Sequence, residues 1–461
     1  MMSLFLSPFP GVLSAGQLEF SFEKGALSLK ADKVPLQTIL LEIVRSGVTV
    51  KIDPQINPPV TVNFKDRPIG QALENLLKPV SYSLLWESPS GTEGKENPVL
   101  VEIQVFLSEK KELMKKLVPE RDVEIVKNNE GVFYVKDELL LYLFRGTDIQ
   151  KLKELLKTYN AELFFDGVPP GPARILLPPD SDVFAIARTI KNKLNINISQ
   201  PNYAYPLEPP VQYKTALNLN SINTEISSYV MPEQGYAIAI FDSGLAENTG
   251  LDNLVKSSLD IMNPDVPITD TLGHGTQMAY IASGIVNPYG VESDSTSYMP
   301  IIPVRAFDDN GYTTDFNILN SINFALENNA RVISLSWGTE TRSAFMENSF
   351  EYAREKGLVI VASAGNAPTG IPVYPAAYPS VIGVGALEPH GKTWENSNYG
   401  NFVSLYAPGF ATLPVGYKGE PGLYAGTSIA TAHVANSIAD YLSRNPAAGM
   451  KEIQEFLDSR F

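Results

Sequence analysis

Four stretches of this chain carry side-chain types that acyl-transfer chemistry uses. In Gly426-Thr427-Ser428-Ile429-Ala430-Thr431-Ala432-His433 a serine stands where an apolar run, 429–442, begins at helical spacing. Such a serine is either a helix cap or a nucleophile at a positive helix end, where backbone N–H groups meet a developing oxyanion. The second reading needs a base, an acid to orient the base and a further oxyanion donor. Gly273-His274-Gly275-Thr276 precedes the apolar run 278–285, and its glycines let another chain segment come close. Of the three histidines, His390 reads as a surface residue in a polar loop. His433, in the same helix as Ser428, reads as a packing or capping residue, which leaves His274 as the natural general base.

The other two stretches follow apolar runs of the kind that form buried parallel strands. The run 237–241 ends in Asp242-Ser243-Gly244, and 358–361 leads into Ala362-Ser363-Ala364-Gly365-Asn366. Functional groups of open α/β sheets gather at the carboxyl ends of strands. Taken singly, Asp242 and Asn366 read equally well as turn residues. Taken together, Asp242, His274, Asn366 and Ser428 supply orienting acid, base, amide donor and nucleophile.

The rest of the chain must position these groups. At 461 residues it is long enough for two or three domains. The absence of cysteine excludes disulfides, thiolate chemistry and Cys-ligated zinc. A net charge of −15, almost all of it on residues 209–461, argues against a nucleic-acid partner. No run is apolar enough to span a bilayer as a helix. Residues 1–15 are apolar and uncharged and end in Ser14-Ala15, like the core and small-residue end of an export signal without its positive start.

Taken in order, 18–31 reads as two short strands about a turn, and 36–44 and 69–77 as helices. The stretches 48–52, 60–64, 82–86 and 99–106 read as strands. Together, 16–106 forms a small α+β module. Residues 107–131, rich in Lys and Glu, read as a solvated helix and linker. From 132 to 206 the order is strand, helix, strand, strand, helix, strand, with Asp182 at the start of the second helix, fitting a ferredoxin-like α+β sandwich. The remainder, 209–461, holds the four chemical stretches.

Several motifs resemble known families. Asp242, His274, Asn366 and Ser428 fall in the chain order of subtilisin-family serine proteases. Pro303-Val304-Arg305-Ala306 ahead of Asp309-Asn310-Gly311, Val332 through Gly338, Tyr374-Pro375-Ala376-Ala377-Tyr378-Pro379 and Ala407-Pro408-Gly409 also match. The resemblance implies a parallel α/β sheet with helices on both faces, preceded by two small α+β domains. It implies a serine endopeptidase in which Ser428 attacks, His274 moves the proton, Asp242 orients His274, and Asn366 with the Ser428 N–H holds the oxyanion. Ser336, Trp337 and Gly338 would pair with substrate backbone, and with Ala362, Ser363 and Ala364 would border the pocket for the residue before the cut. Where the family has proline, a frequent histidine and a smaller apolar residue, this chain has Ala432, Gln277 and Trp337. No cofactor is required. Structural calcium is frequent in the family, but the carboxylates form no contiguous ligand loop and no metal residue is assigned.

Residues 132–208 resemble a subtilase propeptide, with Gln200-Pro201-Asn202-Tyr203 near its end. That implies an intramolecular inhibitor whose tail, 203–208, occupies the cleft until self-cleavage within 204–215. Val34-Pro35-Leu36-Gln37-Thr38-Ile39-Leu40 and Pro68-Ile69-Gly70-Gln71-Ala72-Leu73 are similar to the small N-domains of secretins and outer-membrane receptor signalling domains. This implies an envelope protein partner for 16–106 and a secreted or periplasmic/cell-envelope location. The rival reading is a catalytically silent scaffold for envelope protein interactions.

Overall fold

The computed structural model describes residues 18–23, 25–78, 80–87, 98–107, 111, 114–117, 123–165, 171–213, 236–264, 266–291, 298–418 and 421–461. The apolar segment 1–15 lies outside them. The chain divides into two compact units, one of residues 1–124 with 136–201, the other of residues 125–135 with 202–461.

In the first unit β1 (Leu18–Glu23) and β2 (Ala26–Pro35) lead to α1 (Leu36–Arg45). Then follow β3 (Thr49–Ile52), β4 (Pro59–Pro68), α2 (Ile69–Leu77), β5 (Ser81–Glu87), β6 (Val99–Phe106) and β7 (Lys115–Lys116). Strands β1-β2-β4 form one sheet and β5-β6-β3-β7 another. Apolar residues of α1 and α2 recur every three or four positions, so Leu36, Ile39, Leu40 and Ile43 join Ala72, Leu73 and Leu77 in one core. The stretch 107–131, expected to hold a helix, contributes β7 and β8 (Ile125–Lys127) among its described residues. Both pair on strand edges, β7 on β3 and β8 on β9 (Phe133–Leu143), while the expected helix falls partly on 108–110, 112–113 and 118–122, outside the described residues. Next come α3 (Ile149–Lys157), β10 (Glu162–Phe165), β11 (Gly171–Leu176), α4 (Val183–Leu194) and β12 (Ile198–Pro206). Asp182 caps α4, its carboxylate accepting the Ala185 N–H at 2.9 Å.

The second unit continues with β13 (Val211–Tyr213), β14 (Ala237–Asp242), β15 (Leu259–Asp260), α5 (His274–Ala282), β16 (Ile301–Arg305), β17 (Tyr312–Thr314), α6 (Asp315–Glu327) and β18 (Ala330–Leu335). After these come α7 (Ala344–Glu355), β19 (Val359–Ser363), β20 (Ile382–Leu387), β21 (Leu405–Pro408), β22 (Phe410–Leu413), β23 (Gly422–Ala425), α8 (Thr427–Arg444) and α9 (Met450–Arg460). Seven parallel strands stand in the order β15-β16-β14-β18-β19-β20-β21. Alternation along β14 sends Ile238 and Ile240 to a core shared with α5 and α8, and Ala237, Ala239 and Phe241 to one shared with α6 and α7. Helices therefore cover both faces, which is why these strands read as unbroken apolar runs. Among the described residues no helix is long and apolar enough to cross a membrane.

Candidate active site

Asp242 is the last residue of β14, and His274 opens α5. The His274 Nδ1–H lies 2.7 Å from Asp242 Oδ1, which also accepts the Ser243 N–H at 2.7 Å. This close approach depends on Gly275. A Cβ there would sit 2.3 Å from the Gly244 carbonyl oxygen, so only glycine lets the first turn of α5 lie against the backbone leaving β14. Sequence reasoning missed Asp270. Its Oδ1 accepts the Gly273 N–H at 2.8 Å, while Oδ2 accepts the Thr276 N–H at 2.8 Å and the Thr276 hydroxyl at 2.7 Å. The signal was an acidic residue just ahead of a helix start, where it faces orphan N–H groups.

Ser428 lies in the first turn of α8, and its hydroxyl donates to the Ser336 carbonyl at 3.2 Å. Among the described residues the buried Nε2 of His274 has no hydrogen-bond partner. The acid and the imidazole are thus joined, while the hydroxyl is turned toward β18's end. Asn366 reaches the start of α8 from beyond β19: its Oδ1 accepts the Thr427 N–H at 2.9 Å and the Thr427 hydroxyl at 3.0 Å. Those two contacts fix which end of the amide remains to donate.

Of the expected pocket residues, Ser336 and Trp337 follow β18, and Ala362 and Ser363 end β19, paired in parallel through Leu335 and Ala362. All four are buried, as is Ala364. A Cβ on Gly338 would meet Val373 at 2.3 Å. Trp337 packs against Phe307 edge-on and stacks on Tyr205 with ring centroids 5.8 Å apart. Ala432 lies within α8, which runs unbroken from Thr427 to Arg444, and Gln277 donates to the Val415 carbonyl at 2.8 Å.

Residues 202–213 belong to the same compact unit and run along this site. Ala204, Tyr205 and Pro206 of β12 pair antiparallel with Thr314, Thr313 and Tyr312 of β17, and the Leu207 N–H donates to the Gly311 carbonyl at 2.8 Å. The Glu208 carboxyl lies near the backbone N–H of Asn366, which offsets part of the rise that burial gives its pKa. Val211, Gln212 and Tyr213 then pair antiparallel with Ala425, Tyr424 and Leu423, the strand that ends just before Gly426-Thr427-Ser428. The chain is thereby anchored twice, on β17 and then on β23, the strand that leads into Ser428. With it in place His274 is 0% and Ser428 2% exposed. The contribution of β17 was missed from sequence, although the Asp309-Asn310-Gly311 turn followed by β-prone Tyr312-Thr313-Thr314 marks it.

The other histidines stand apart. His390 is exposed in a turn. His433 is buried within α8 edge-on to Phe461, and burial, with the Arg460 charge adding to it, lowers its pKa to about 3. It is a neutral packing residue. Among the described residues no group of three or more metal-ligating side chains is placed to hold an ion.

The site thus gathers a carboxylate at the end of β14, an imidazole at the start of α5 and a hydroxyl in the first turn of α8, with an amide from beyond β19. The profile of the Subtilase family matches residues 233–459. The chain is 30% identical over 290 residues to Subtilisin NAT of Bacillus subtilis subsp. natto, spanning 60% of this chain and 75% of that protein. It is 28% identical over 327 residues to the thermophilic serine proteinase of Bacillus sp. (strain AK1), spanning 70% and 81%. Among solved structures, fervidolysin from Fervidobacterium pennivorans, a keratinolytic enzyme related to subtilisin, aligns over 74% of this chain and 60% of its own, with TM-score 0.55 and 24% identity. The epidermin leader peptide processing serine protease of Staphylococcus aureus aligns over 70% and 93%, with TM-score 0.51 and 18% identity. Both likenesses show the shared fold. The parallel sheet, the family profile and the subtilisin relatives lead to one conclusion: this chain belongs to the subtilase family and is a subtilisin-like serine endopeptidase.

Proposed function

We propose that the protein is a zymogen of a triad-dependent endopeptidase, held inactive by its own residues 203–208 and matured by self-cleavage nearby. Ser428 Oγ attacks the scissile carbonyl as His274 Nε2 takes the hydroxyl proton; the new C–O bond gives a tetrahedral oxyanion held by Asn366 and the Ser428 N–H. His274 then passes the proton to the leaving amine as the C–N bond breaks. Water, deprotonated by the same imidazole, releases the acid from the acyl-enzyme. Asp242 keeps the Nδ1–H tautomer and stabilises the imidazolium. Ser336, Trp337, Gly338, Ala362, Ser363 and Ala364 border the groove for substrate backbone and for the residue before the cut.

The observation that carries the zymogen reading is the path of 202–213, strand-paired first to β17 and then to β23, the strand that leads into Ser428. Backbone pairing of an extended segment is how a protease groove holds a peptide. Residues 132–208 serve as the inhibitory domain and 209–461 as the catalytic domain. Residues 1–15 serve as an export segment to the exterior or the cell envelope, and 16–106, joined through 107–131, as a module for an envelope protein partner. No cofactor is needed for the chemistry.

The test is expression of wild type and Ser428→Ala. N-terminal sequencing should find a cut within 204–215 in wild type and the full-length chain in the variant. The same processing in both removes self-cleavage.

A further inference from the structure

We propose that Asp315 makes this protease a reader of tyrosine, accepting the phenol of a substrate residue three positions before the residue whose carbonyl is attacked. The inference rests on the proposed role of 202–208 as an occupant of the substrate groove, and it names the specificity of that groove.

Tyr205 is fully buried, and its hydroxyl donates to Asp315 Oδ1 at 2.6 Å. Asp315, at the start of α6, is itself only 1% exposed. Its other oxygen accepts the Ser343 hydroxyl at 2.8 Å, and that hydroxyl also accepts the Met346 N–H at 3.0 Å, capping α7. The carboxylate is therefore held in place from the far side, with one oxygen turned to the phenol. The ring lies nearly parallel to Trp337, at an interplanar angle of 22°.

The two contacts do different work. Stacking on Trp337 suits any flat ring and does not separate tyrosine from phenylalanine. The carboxylate does, because a phenylalanine would withdraw from Asp315 Oδ1 the phenol that it accepts here at 2.6 Å and put an apolar ring edge against a buried polar oxygen. Sites built to bond a substrate hydroxyl discriminate strongly against the analogue that lacks it. The register follows the same strand. Tyr205 pairs with Thr313 and the Leu207 N–H reaches Gly311; on the proposed reading Glu208, beside Asn366, is the residue at the cut, and tyrosine precedes it by three.

The experiment compares two fluorogenic peptides, Asn-Tyr-Ala-Tyr-Pro-Leu-Glu followed by a cleavable amide and the same peptide with phenylalanine at its fourth position, against the processed wild-type enzyme. Its active fraction is counted by fluorophosphonate labelling. The tyrosine peptide should be cut with kcat/KM roughly 10- to 100-fold higher, the range expected for a hydrogen bond to a charged partner. In Asp315→Leu the ratio of the two peptides should fall to about one or invert, read on the fraction of enzyme that labels with the fluorophosphonate, which reports folding. Ser343→Ala, which keeps the carboxylate but frees its far side, should lower the ratio only in part. A wild-type ratio near one in an enzyme that labels overturns the inference whatever the variants do. Absence of labelling, by contrast, overturns the reading of Ser428 as nucleophile.

Discussion

The Asp242 carboxylate meets His274 Nδ1 at 2.7 Å in a pocket that leaves both side chains out of contact with solvent. An ionised carboxylate there admits only the Nδ1–H tautomer, which leaves Nε2 free to act as a base. Asp242→Asn should keep the fold and present an amide N–H that favours the opposite tautomer. The expected loss is on the order of 10⁴ in kcat with KM little changed, as for the equivalent change in a related triad. Steady-state kinetics on a peptide amide checks this, and a loss below tenfold would remove the orienting role.

Asn366 divides its amide between two tasks. Its oxygen is engaged by Thr427, so the proposed oxyanion contact falls to the nitrogen. Asn366→Asp keeps an acceptor for Thr427 and removes the donor. The expected cost in kcat is roughly 10²–10³, the range for removing one oxyanion donor, with binding of substrate nearly unchanged. A rise in KM at constant kcat would place the side chain in substrate binding alone.

Gly275→Ala should misplace the base without touching any catalytic atom. The added methyl would lie 2.3 Å from the Gly244 oxygen and 2.7 Å from the Gly244 nitrogen, both rigid backbone. Relief requires α5 to move off the end of β14. An ångström of displacement can cost about 10²-fold in rate, and overpacking of this kind about 1–3 kcal/mol of stability. Thermal unfolding and kcat measured together test the pair of effects, and wild-type values in both would show that the contact yields easily.

Docking of 203–208 should weaken as pH rises. Burial raises the Glu208 carboxyl above its ordinary range; the Asn366 N–H opposes this and the Glu340 charge adds to it. A raised pKa means the docked state prefers the protonated acid. Its contribution is therefore full below the pKa of the undocked carboxyl and is lost as pH climbs through the docked one. In the uncut Ser428→Ala chain, amide-exchange protection of 203–208 should fall with pH relative to a second variant that also carries Glu208→Gln, whose uncharged amide removes the dependence. Parallel pH profiles in the two would assign the titration elsewhere.

The catalytic sheet was legible because both of its faces are covered. Runs such as 237–241 and 358–361 had no polar alternation to confuse, and Asp242 and Asn366 stood at their ends. His274 was legible from its glycine neighbours, one of which the contact with Gly244 explains. Asp315 and β17 were not, because their roles arise from partners distant in sequence, whereas Asp270 meets only Gly273 and Thr276 nearby and was passed over as an ordinary residue ahead of a helix. A lone aspartate before a helix reads the same whether it caps that helix or, like Asp315, meets a tyrosine 110 residues earlier. The β-strands in 107–131 were hidden for a related reason: pairing with an existing edge needs no local pattern.

Under the proposed zymogen reading, the pairing of 202–213 with β17 and then with β23 would separate scission from activation. A single break in 208–210 would leave one new end held by its ladder on β17 and the other by its ladder on β23. Before the break the blocking segment is tethered, and its local concentration does not change when the protein is diluted. Afterwards each arm leaves at its own rate, and the freed enzyme gains activity on dilution. On that reading the double ladder would act as a delay between the first turnover, performed on the protein itself, and the first performed on anything else.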